Sequence, residues 1–379
     1  MSRQSELAEL SRVYDSSALS NRNLIINGAQ NVHQRGDQSG LYYNVYGTDR
    51  FELVVHPNRD ELVFSLAQDT DVPSGSGFSN SLKYTTTTAE SAIASDEYVF
   101  ISQKIEAQNL QHLAYGTSSA KKVTLSFWVK SSVTGTFCIG LYKDDAAGSL
   151  TSQVHNKTYT ISSASTWEHK TITFEANTLS GGGITDDSGI GLYVTWHLAV
   201  GSDYDSGSST SSGWATYSNT NWCEPSTTDA VITTTNATFY LTGVQLEVGD
   251  TATPFEHRSF GDELTRCQRY FCRTYAYGTA TGASDTSQGC ISSVIEGAHN
   301  YASAGNFNFP VEMRAAPTVT LYSTYNANTT GKVTADATDG TGNAGFLGSS
   351  RCFLHRNNDS TGTGANVLMR AHAIASAEL

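Results

Sequence analysis

At 379 residues, the chain is longer than one hydrophobic core usually organises, so we expect two or three domains. Charged residues make up only 16% of it, a composition that favours strands and turns over long solvated helices and argues against a helical bundle. The formal net charge is −13, of which −12 lies in residues 1–259 (15 basic minus 27 acidic residues), so nucleic acid and anionic membrane surfaces are poor partners.

The N-terminal segment has the spacing of a short amphipathic helix. Leu7, Leu10 and Tyr14 recur at three- and four-residue intervals behind Ser5, a capping residue. Because so short a helix is marginal in water by itself, this stripe must pack on the body of the chain, on a copy or on a partner. We therefore assign residues 1–22 to a helical assembly arm.

The start of the chain lacks the apolar core of a signal peptide, and no later stretch is apolar enough to span a bilayer. We expect no membrane insertion and a protein made in the cytoplasm.

Residues 23–258 follow a two-residue hydrophobic period. In residues 122–130, Val123, Leu125, Phe127 and Val129 share one face, which predicts a strand with one face in the core and the other in solvent. The same alternation recurs in residues 170–174 and 191–198. Many such strands separated by Gly, Ser, Asn and Asp turns predict an all-β fold, a jelly-roll β-sandwich.

The last strand of this region changes phase. From residue 238 to residue 248 the apolar positions are odd-numbered before Gly243 and even-numbered after it. A shift of one residue moves side chains to the opposite face, so we predict a β-bulge or sharp bend at Gly243.

A polar segment over residues 201–222 carries several aromatic side chains and is predicted to be a long exposed loop. Exposed rings stack on the apolar faces of pyranoses, and neighbouring amides bind the hydroxyl groups. The alternative is that these rings bury against the sandwich edge or a neighbouring subunit. The predicted glycan-contacting residues are Tyr204, Trp214, Tyr217, Trp222, Asn219 and Asn221.

Residues 259–379 are assigned to a second, smaller β-domain. A helical turn over residues 259–267 precedes a strand near Cys272, and Pro310 marks an edge strand or a strand end. The Asn-, Thr- and Gly-rich residues 326–346 and 356–366 are interpreted as hairpin loops, with a glycan-binding tip as the alternative.

Few residues of the sequence form a pattern that is typical of a catalytic site. Asp186 with Asp187, and Asp203 with Asp205, are candidate carboxylate pairs for glycan cleavage, but paired Asp in turns usually bond the local backbone. Nucleophile-elbow, zinc-protease and phosphate-loop motifs are absent from the sequence, as are zinc-ligand spacing and a calcium-loop string. We expect a protein that is not an enzyme and that holds no cofactor or metal.

Several strings along the chain resemble structural proteins of tailed bacteriophages, of the marine and cyanobacterial kind. Their positions are 19–30 (LSNRNLIINGAQ), 34–36 (QRG), 49–51 (DRF), 125–131 (LSFWVKS), 241–249 (LTGVQLEVG), 252–256 (ATPFE), 266–271 (RCQRYF) and 314–319 (RAAPTV). The resemblance implies a trimeric virion subunit with a carbohydrate-binding-module-like jelly roll and a β-rich C-terminal domain.

On this basis we expect a homotrimeric tail-fibre subunit in the phage virion that takes part in host attachment through weak, multivalent glycan contacts. The arm would contact other tail proteins. Two alternatives stay open: a structural adaptor between tail and fibres, and a polysaccharide-degrading tail spike.

Overall fold

The computed structural model describes residues 21–56, 61–144, 151–225, 227–283, 289–295, 301–335, 338–345, 347–357 and 367–379. The predicted arm over residues 1–22, with Leu7, Leu10 and Tyr14, lies outside these residues except for its last two positions. Residues 358–366 of the C-terminal polar segment also lie outside them. Among the helices that are described, none is long and apolar enough to cross a bilayer.

The chain forms two compact units. The first comprises Asp37–Ser259 with residues 21–31 and Leu379, and the second comprises Val32–Gly36 and Phe260–Glu378. Residues Val32–Gly36 therefore belong to the second unit, whereas the domain boundaries predicted from the sequence assign them to the sandwich. Both units are built from strands, so the prediction of an all-β jelly-roll sandwich with a second, smaller β-domain is confirmed.

The first unit is a sandwich of two antiparallel sheets. Its strands are β1 (Gln38–Leu41), β2 (Val45–Tyr46), β3 (Glu52–Val55), β4 (Val63–Asp69), β5 (Ser81–Thr88), β6 (Tyr98–Glu106), β7 (Val123–Ser131), β8 (Gly135–Lys143), β9 (Gln153–Ile161), β10 (Glu168–Phe174), β11 (Ile190–Val200), β12 (Ala215–Thr216) and β13 (Thr238–Val248). Its helices are η1 (Ala107–Leu113), α1 (Ser202–Asp205) and η2 (Asn219–Asn221), where η marks a 3-10 helix.

One sheet has six strands in the order β1-β4-β5-β13-β7-β10, and the other has seven in the order β12-β9-β8-β11-β6-β3-β2. Successive side chains of a strand point to opposite faces of its sheet. Leu125 and Phe127 of the first sheet therefore pack in one shared hydrophobic core with Val194 and Trp196 of the second. The opposite side chains form the outer faces, and the outer face of the seven-stranded sheet positions the candidate site.

The predicted irregularity at Gly243 is confirmed. Gly243 has a φ of 61°, and the register of β13 against β7 shifts between Thr242 and Gln245. A Cβ at Gly243 would lie 2.6 Å from the Phe78 ring, so both the backbone angle and the space require glycine.

The outer face of β7 differs from the prediction, because it does not face solvent. Thr124 and Ser126 are buried there, and the Thr124 hydroxyl donates to the carbonyl of Gly249. Glu247 is also buried and accepts hydrogen bonds from the backbone and hydroxyl of Thr253. The chain after β13 therefore covers part of this sheet, which the alternation of a single strand does not reveal.

The second unit contains α2 (Phe260–Gln268), followed by strands β14 (Phe271–Arg273), β15 (Ile291–Ile295), β16 (Tyr301–Asn308), β17 (Thr318–Tyr322), β18 (Lys332–Ala335), β19 (Thr338–Gly345), β20 (Arg351–Asn357) and β21 (Val367–Ser376). They form an eight-stranded antiparallel sheet with a small core of its own, which includes Phe307, Met313 and Leu354.

Two segments of the second unit bear on predictions made from the sequence. The predicted change from helix to strand between Cys267 and Cys272 is confirmed by α2 and β14. The hairpin-loop interpretation of residues 326–346 is wrong for most of the segment, because β18 and β19 occupy 332–335 and 338–345. Backbone pairing holds these strands despite their few apolar side chains.

Candidate functional site

The candidate site lies on the outer face of the seven-stranded sheet. The strand register sets Tyr193 of β11 between Tyr142 of β8 and Lys104 of β6. The neighbouring residues Leu141, Leu192 and Ile105 point into the core, so the two tyrosines and the lysine share the opposite face.

The predicted exposed loop over residues 201–222 instead folds onto this face. Glu224, which is buried, accepts hydrogen bonds from the Thr210 backbone and the Ser209 hydroxyl. Asn156 of β9 donates its backbone N–H to the Thr210 hydroxyl oxygen and its Nδ2 to the Asn221 carbonyl at 3.0 Å. The segment is therefore an anchored cover, and its position is set by β9 and by its own turns.

Trp222 connects this cover to the sheet. Its ring lies 4.9 Å from Tyr98, 5.0 Å from Phe100 and 5.8 Å from His197, measured between centroids. All three contacts are edge-to-face, the arrangement that ring quadrupoles favour. Trp222 remains half-buried in these contacts.

Trp222 is the centre of a continuous row of half-buried rings. Neighbouring centroids are 5.3 Å apart for Tyr193 and Tyr142, 5.0 Å for Tyr142 and Tyr217, and 6.4 Å for Tyr217 and Trp222. On the other side, Tyr204 lies 5.6 Å from Trp222, and His56 lies 5.0 Å from Tyr98. We call this row the aromatic ribbon; its members are Tyr193, Tyr142, Tyr217, Trp222, Tyr204, Tyr98 and His56.

Polar atoms lie on the same sheet face as the ribbon. Ser102, Thr195 and Asn156 are each at most 2% exposed, and their strand positions place them on the outer face. The Ser102 hydroxyl and the Asn156 Oδ1 have no hydrogen-bond partner among the described residues. Gly140 leaves the space that the Asn156 Oδ1 occupies, since a Cβ there would lie 2.4 Å from that oxygen.

Burial raises the pKa of every tyrosine in the ribbon, so these phenols are uncharged at neutral pH. Burial raises the pKa of Tyr217 to about 12, with smaller contributions from neighbouring tyrosines and Asp144. Burial lowers the pKa of His197 to about 3. Tyr217 thus keeps its phenol proton, which it donates to Asn219 Oδ1 at 3.1 Å.

Lys104 is a cation that contacts a ring of the ribbon. Its Nζ lies 5.7 Å from the Tyr193 centroid and 2.9 Å from a carboxylate oxygen of Glu52. The same ammonium donates to the Leu379 carbonyl at 2.6 Å. Its charge is therefore largely balanced by groups within the first unit.

Five of the six predicted glycan-contacting residues come together here. Tyr204, Tyr217 and Trp222 belong to the ribbon. Asn219 accepts the Tyr217 hydroxyl, and Asn221 holds η2 in place by accepting from the Ser218 backbone at 2.8 Å.

The prediction for Trp214 is corrected by the structure. Trp214 is 9% exposed and belongs to the hydrophobic core. Its indole N–H donates to the Glu175 carbonyl at 2.7 Å, and its ring packs against Tyr115 and His155. A sugar face cannot stack on a ring held in this way. Trp214 is buried instead, which is the alternative considered from the sequence.

Two of the carboxylates considered for catalysis, Asp187 and Asp203, accept hydrogen bonds from other parts of the first unit. Asp187 accepts the Gly189 backbone N–H at 2.7 Å and so closes the turn before β11, as its residue type suggests. Asp203, in α1, accepts the Ser95 hydroxyl at 3.4 Å. Within the described ranges, no group of three or more Cys, His, Asp or Glu side chains could hold a metal ion.

Sequence reasoning missed three strand residues of the ribbon, Tyr98, Tyr142 and Tyr193, and also His56, which directly follows β3. Tyr193 did carry a signal, because it alternates with the buried Leu192 and Val194 and so must point outward. Nothing local shows that rings from three separate strands, from His56 and from the cover would align.

No protein-family model and no curated protein sequence matches the chain. Among solved structures, the enzymatically active domain of tailspike protein 4 of bacteriophage CBA120 aligns with 60% of this chain at 14% identity and a TM-score of 0.32. The alignment spans about a fifth of that protein (22%).

Two further likenesses cover nearly all of the matched protein. A candidate sugar-binding protein from Bacteroides thetaiotaomicron aligns over its whole length (100%) with 60% of this chain, at 11% identity and a TM-score of 0.32. The family 11 carbohydrate-binding module of a Clostridium thermocellum cellulosomal cellulase aligns over 98% of its length with 57% of this chain, at 12% identity and a TM-score of 0.28. At such TM-scores these likenesses carry no argument about function, which must come from the side chains of this chain.

Proposed function

We propose that this protein is a non-enzymatic tail-fibre subunit of a tailed bacteriophage and that it binds host-surface glycans along the aromatic ribbon. The observation that supports glycan binding is the unbroken series of half-buried rings from Tyr193 to His56. Rings of this kind stack on the apolar faces of sugars.

Accessible amide groups beside the rings supply the polar contacts that a sugar needs. Asn219 is exposed next to Tyr217, whose hydroxyl it accepts, and Asn221 is half-buried beside Trp222. Amide side chains of this kind bind sugar hydroxyls.

The place in the virion rests on a different kind of support, the motif strings that resemble tailed-phage structural proteins. A homotrimer whose N-terminal arms contact other tail proteins belongs to the same proposal. Three parallel copies raise the effective concentration of binding sites, so weak contacts at each ribbon would together hold a phage to a cell.

The test of glycan binding compares two tryptophans in the full chain. Trp222→Ala removes the centre of the ribbon, and the matched control Trp167→Ala removes a half-buried tryptophan on the outer face of the six-stranded sheet. Binding to host cells and to their extracted polysaccharide is measured by sedimentation and by calorimetry. We expect Trp222→Ala to weaken binding at least about tenfold, as loss of a central aromatic contact does, and Trp167→Ala to have little effect.

Circular dichroism spectra of both variants show whether each remains folded, and Tyr217→Ala provides a second ribbon variant outside the strands. Equal binding by all three variants would place the site elsewhere. Release of reducing ends from the polysaccharide by the unaltered protein would establish the tail-spike alternative. A protein that binds neither cells nor polysaccharide would favour the adaptor.

A further inference from the structure

Two cysteines lie where the end of the cover meets the seven-stranded sheet. Cys138 of β8 alternates with Phe137 and Ile139, which point into the core, so its thiol lies on the outer face. Cys223 is the first residue after the cover, and its backbone N–H donates to the Tyr204 carbonyl at 3.0 Å. Both cysteines are buried, at 0% and 3% exposure. The end of the cover therefore shields this part of β8 from solvent.

The two thiols contact each other. The backbone N–H of Glu224, which follows Cys223, donates to the Cys138 Sγ at 3.4 Å. The Cys223 thiol shares a hydrogen bond with the Cys138 thiol, and its Sγ lies 3.9 Å from the Thr227 hydroxyl oxygen. A disulfide requires side chains that point toward each other from Cα atoms within about 7 Å. The hydrogen bond between the thiols shows that these side chains already do so.

Burial keeps these thiols unreactive while the cover is closed. It is the main cause that raises the pKa of the Cys223 thiol well above its usual range, and the hydrogen bond with Cys138 adds to it. The thiolate is the form of cysteine that attacks other sulfur atoms, so little of the reactive form is present at neutral pH. A reagent must also wait for the cover to open before it reaches either sulfur. Any oxidation of the pair is therefore slow, and it requires an oxidising medium.

We infer that Cys138 and Cys223 form a disulfide in an oxidising medium and that this bond fastens the cover to β8. The inference goes beyond the proposed function, because it does not depend on glycan binding. A cross-link between residues far apart in sequence restricts the unfolded chain strongly. The bond thus stabilises the first unit and slows the opening of the segment that carries Trp222.

A small-molecule disulfide such as oxidised glutathione is the oxidant in this reaction. One cysteine loses its proton and attacks the small disulfide, whose S–S bond breaks and releases one small thiol. The other cysteine then loses its proton and displaces the attached half as a second small thiol, and the bond between Cys138 and Cys223 forms. The protein thiols lose two electrons, the small disulfide gains them, and the two protons end on the released thiols.

The experiment treats the reduced full chain with oxidised glutathione at about pH 8, where more thiolate is present, and maps the product. The remaining thiols are alkylated, and the protein is digested with trypsin without reduction and analysed by mass spectrometry. Cys138 is the only cysteine of the tryptic peptide 131–143, and Cys223 is the only one of the tryptic peptide 171–258. We expect these peptides to be joined in more than about half of the molecules and dithiothreitol to separate them.

Cysteine variants separate this bond from other thiol reactions. Cys138→Ser and Cys223→Ser each remove one partner and should give no cross-linked peptide, whereas the control Cys290→Ser, in the second unit, should leave the cross-link unchanged. Hydrogen exchange then tests the effect on the cover. Amides of residues 201–222 should exchange at least about tenfold more slowly in the oxidised protein than in the reduced protein. Their exchange should not change in the double variant C138S/C223S after the same treatment.

The contrary results are equally specific. Glutathione attached to either cysteine without a cross-link, a cross-link from either one to a different cysteine, or thiols that stay reduced until urea unfolds the protein would overturn the disulfide. A cross-link that leaves the exchange of residues 201–222 unchanged would overturn the fastening of the cover. None of these results bears on the proposed glycan binding, which is tested by Trp222→Ala in the reduced protein.

Discussion

Replacing Gly243 with alanine tests how the sandwich is built, and its cost can be worked out from the structure. Gly243 has a φ of 61°, which costs an alanine about 1–2 kcal/mol. The added Cβ would lie 2.6 Å from Phe78 and 3.0 Å from Trp128, and overpacking of this kind costs about 1–3 kcal/mol. Together these effects predict a loss of about 2–5 kcal/mol in the free energy of unfolding.

Gly75→Ala is the control that separates the two effects. Gly75 has a similar φ of 73°, and no heavy atom lies within 4 Å of the Cβ position, so only the backbone cost of about 1–2 kcal/mol applies. Urea unfolding followed by tryptophan fluorescence is a suitable assay, since all five tryptophans lie in the first unit. If Gly243→Ala and Gly75→Ala agree within about 0.5 kcal/mol, the packing of Phe78 and Trp128 against the bulge is not as described.

Three further predictions concern buried side chains. Burial lowers the pKa of His155 to about 4 and that of His197 to about 3, while the unfolded chain binds a proton at each near pH 6.5, so stability should fall between pH 7 and 5 by up to about 2 kcal/mol per histidine. The double variant H155Q/H197Q should show a flatter dependence of its urea midpoint on pH, and an unchanged dependence would contradict this assignment. Trp214→Ala should lower the free energy of unfolding by about 3–5 kcal/mol, and a loss under about 1 kcal/mol would mean that this ring is not in the core. Asp339→Ala should destabilise the second unit by about 1–3 kcal/mol because the buried Thr334 hydroxyl loses its acceptor, and unchanged hydrogen exchange in β18 would argue against that bond.

Much of the first unit was predictable because strand alternation is local. The inward positions of Val123, Leu125 and Phe127 follow directly from the two-residue period, and the phase change at Gly243 marks the bulge without any knowledge of its neighbours. The eight-stranded sheet of the second unit was harder, since β18 and β19 are held by backbone pairing in a stretch rich in Gly, Thr and Asp.

The site could be predicted only in part, because burial in a polar segment depends on distant contacts. Trp214 and Trp222 lie eight positions apart in similar sequence, yet β12 pairs with β9 and brings Trp214 into the core, while the turn at η2 sets Trp222 on the outer face. Tyr142 and Tyr193 join the ribbon through strand register alone. Register between strands far apart in sequence leaves no local signal.

The account depends most directly on where a sugar chain binds, and a crystal structure of the protein with the tightest-binding neutral oligosaccharide would show it. We predict sugar rings stacked along Tyr142, Tyr217 and Trp222, with hydroxyl groups directed to Asn219 or Asn221. Sugar density on the outer face of the six-stranded sheet or on the second unit, with the ribbon empty, would contradict the account.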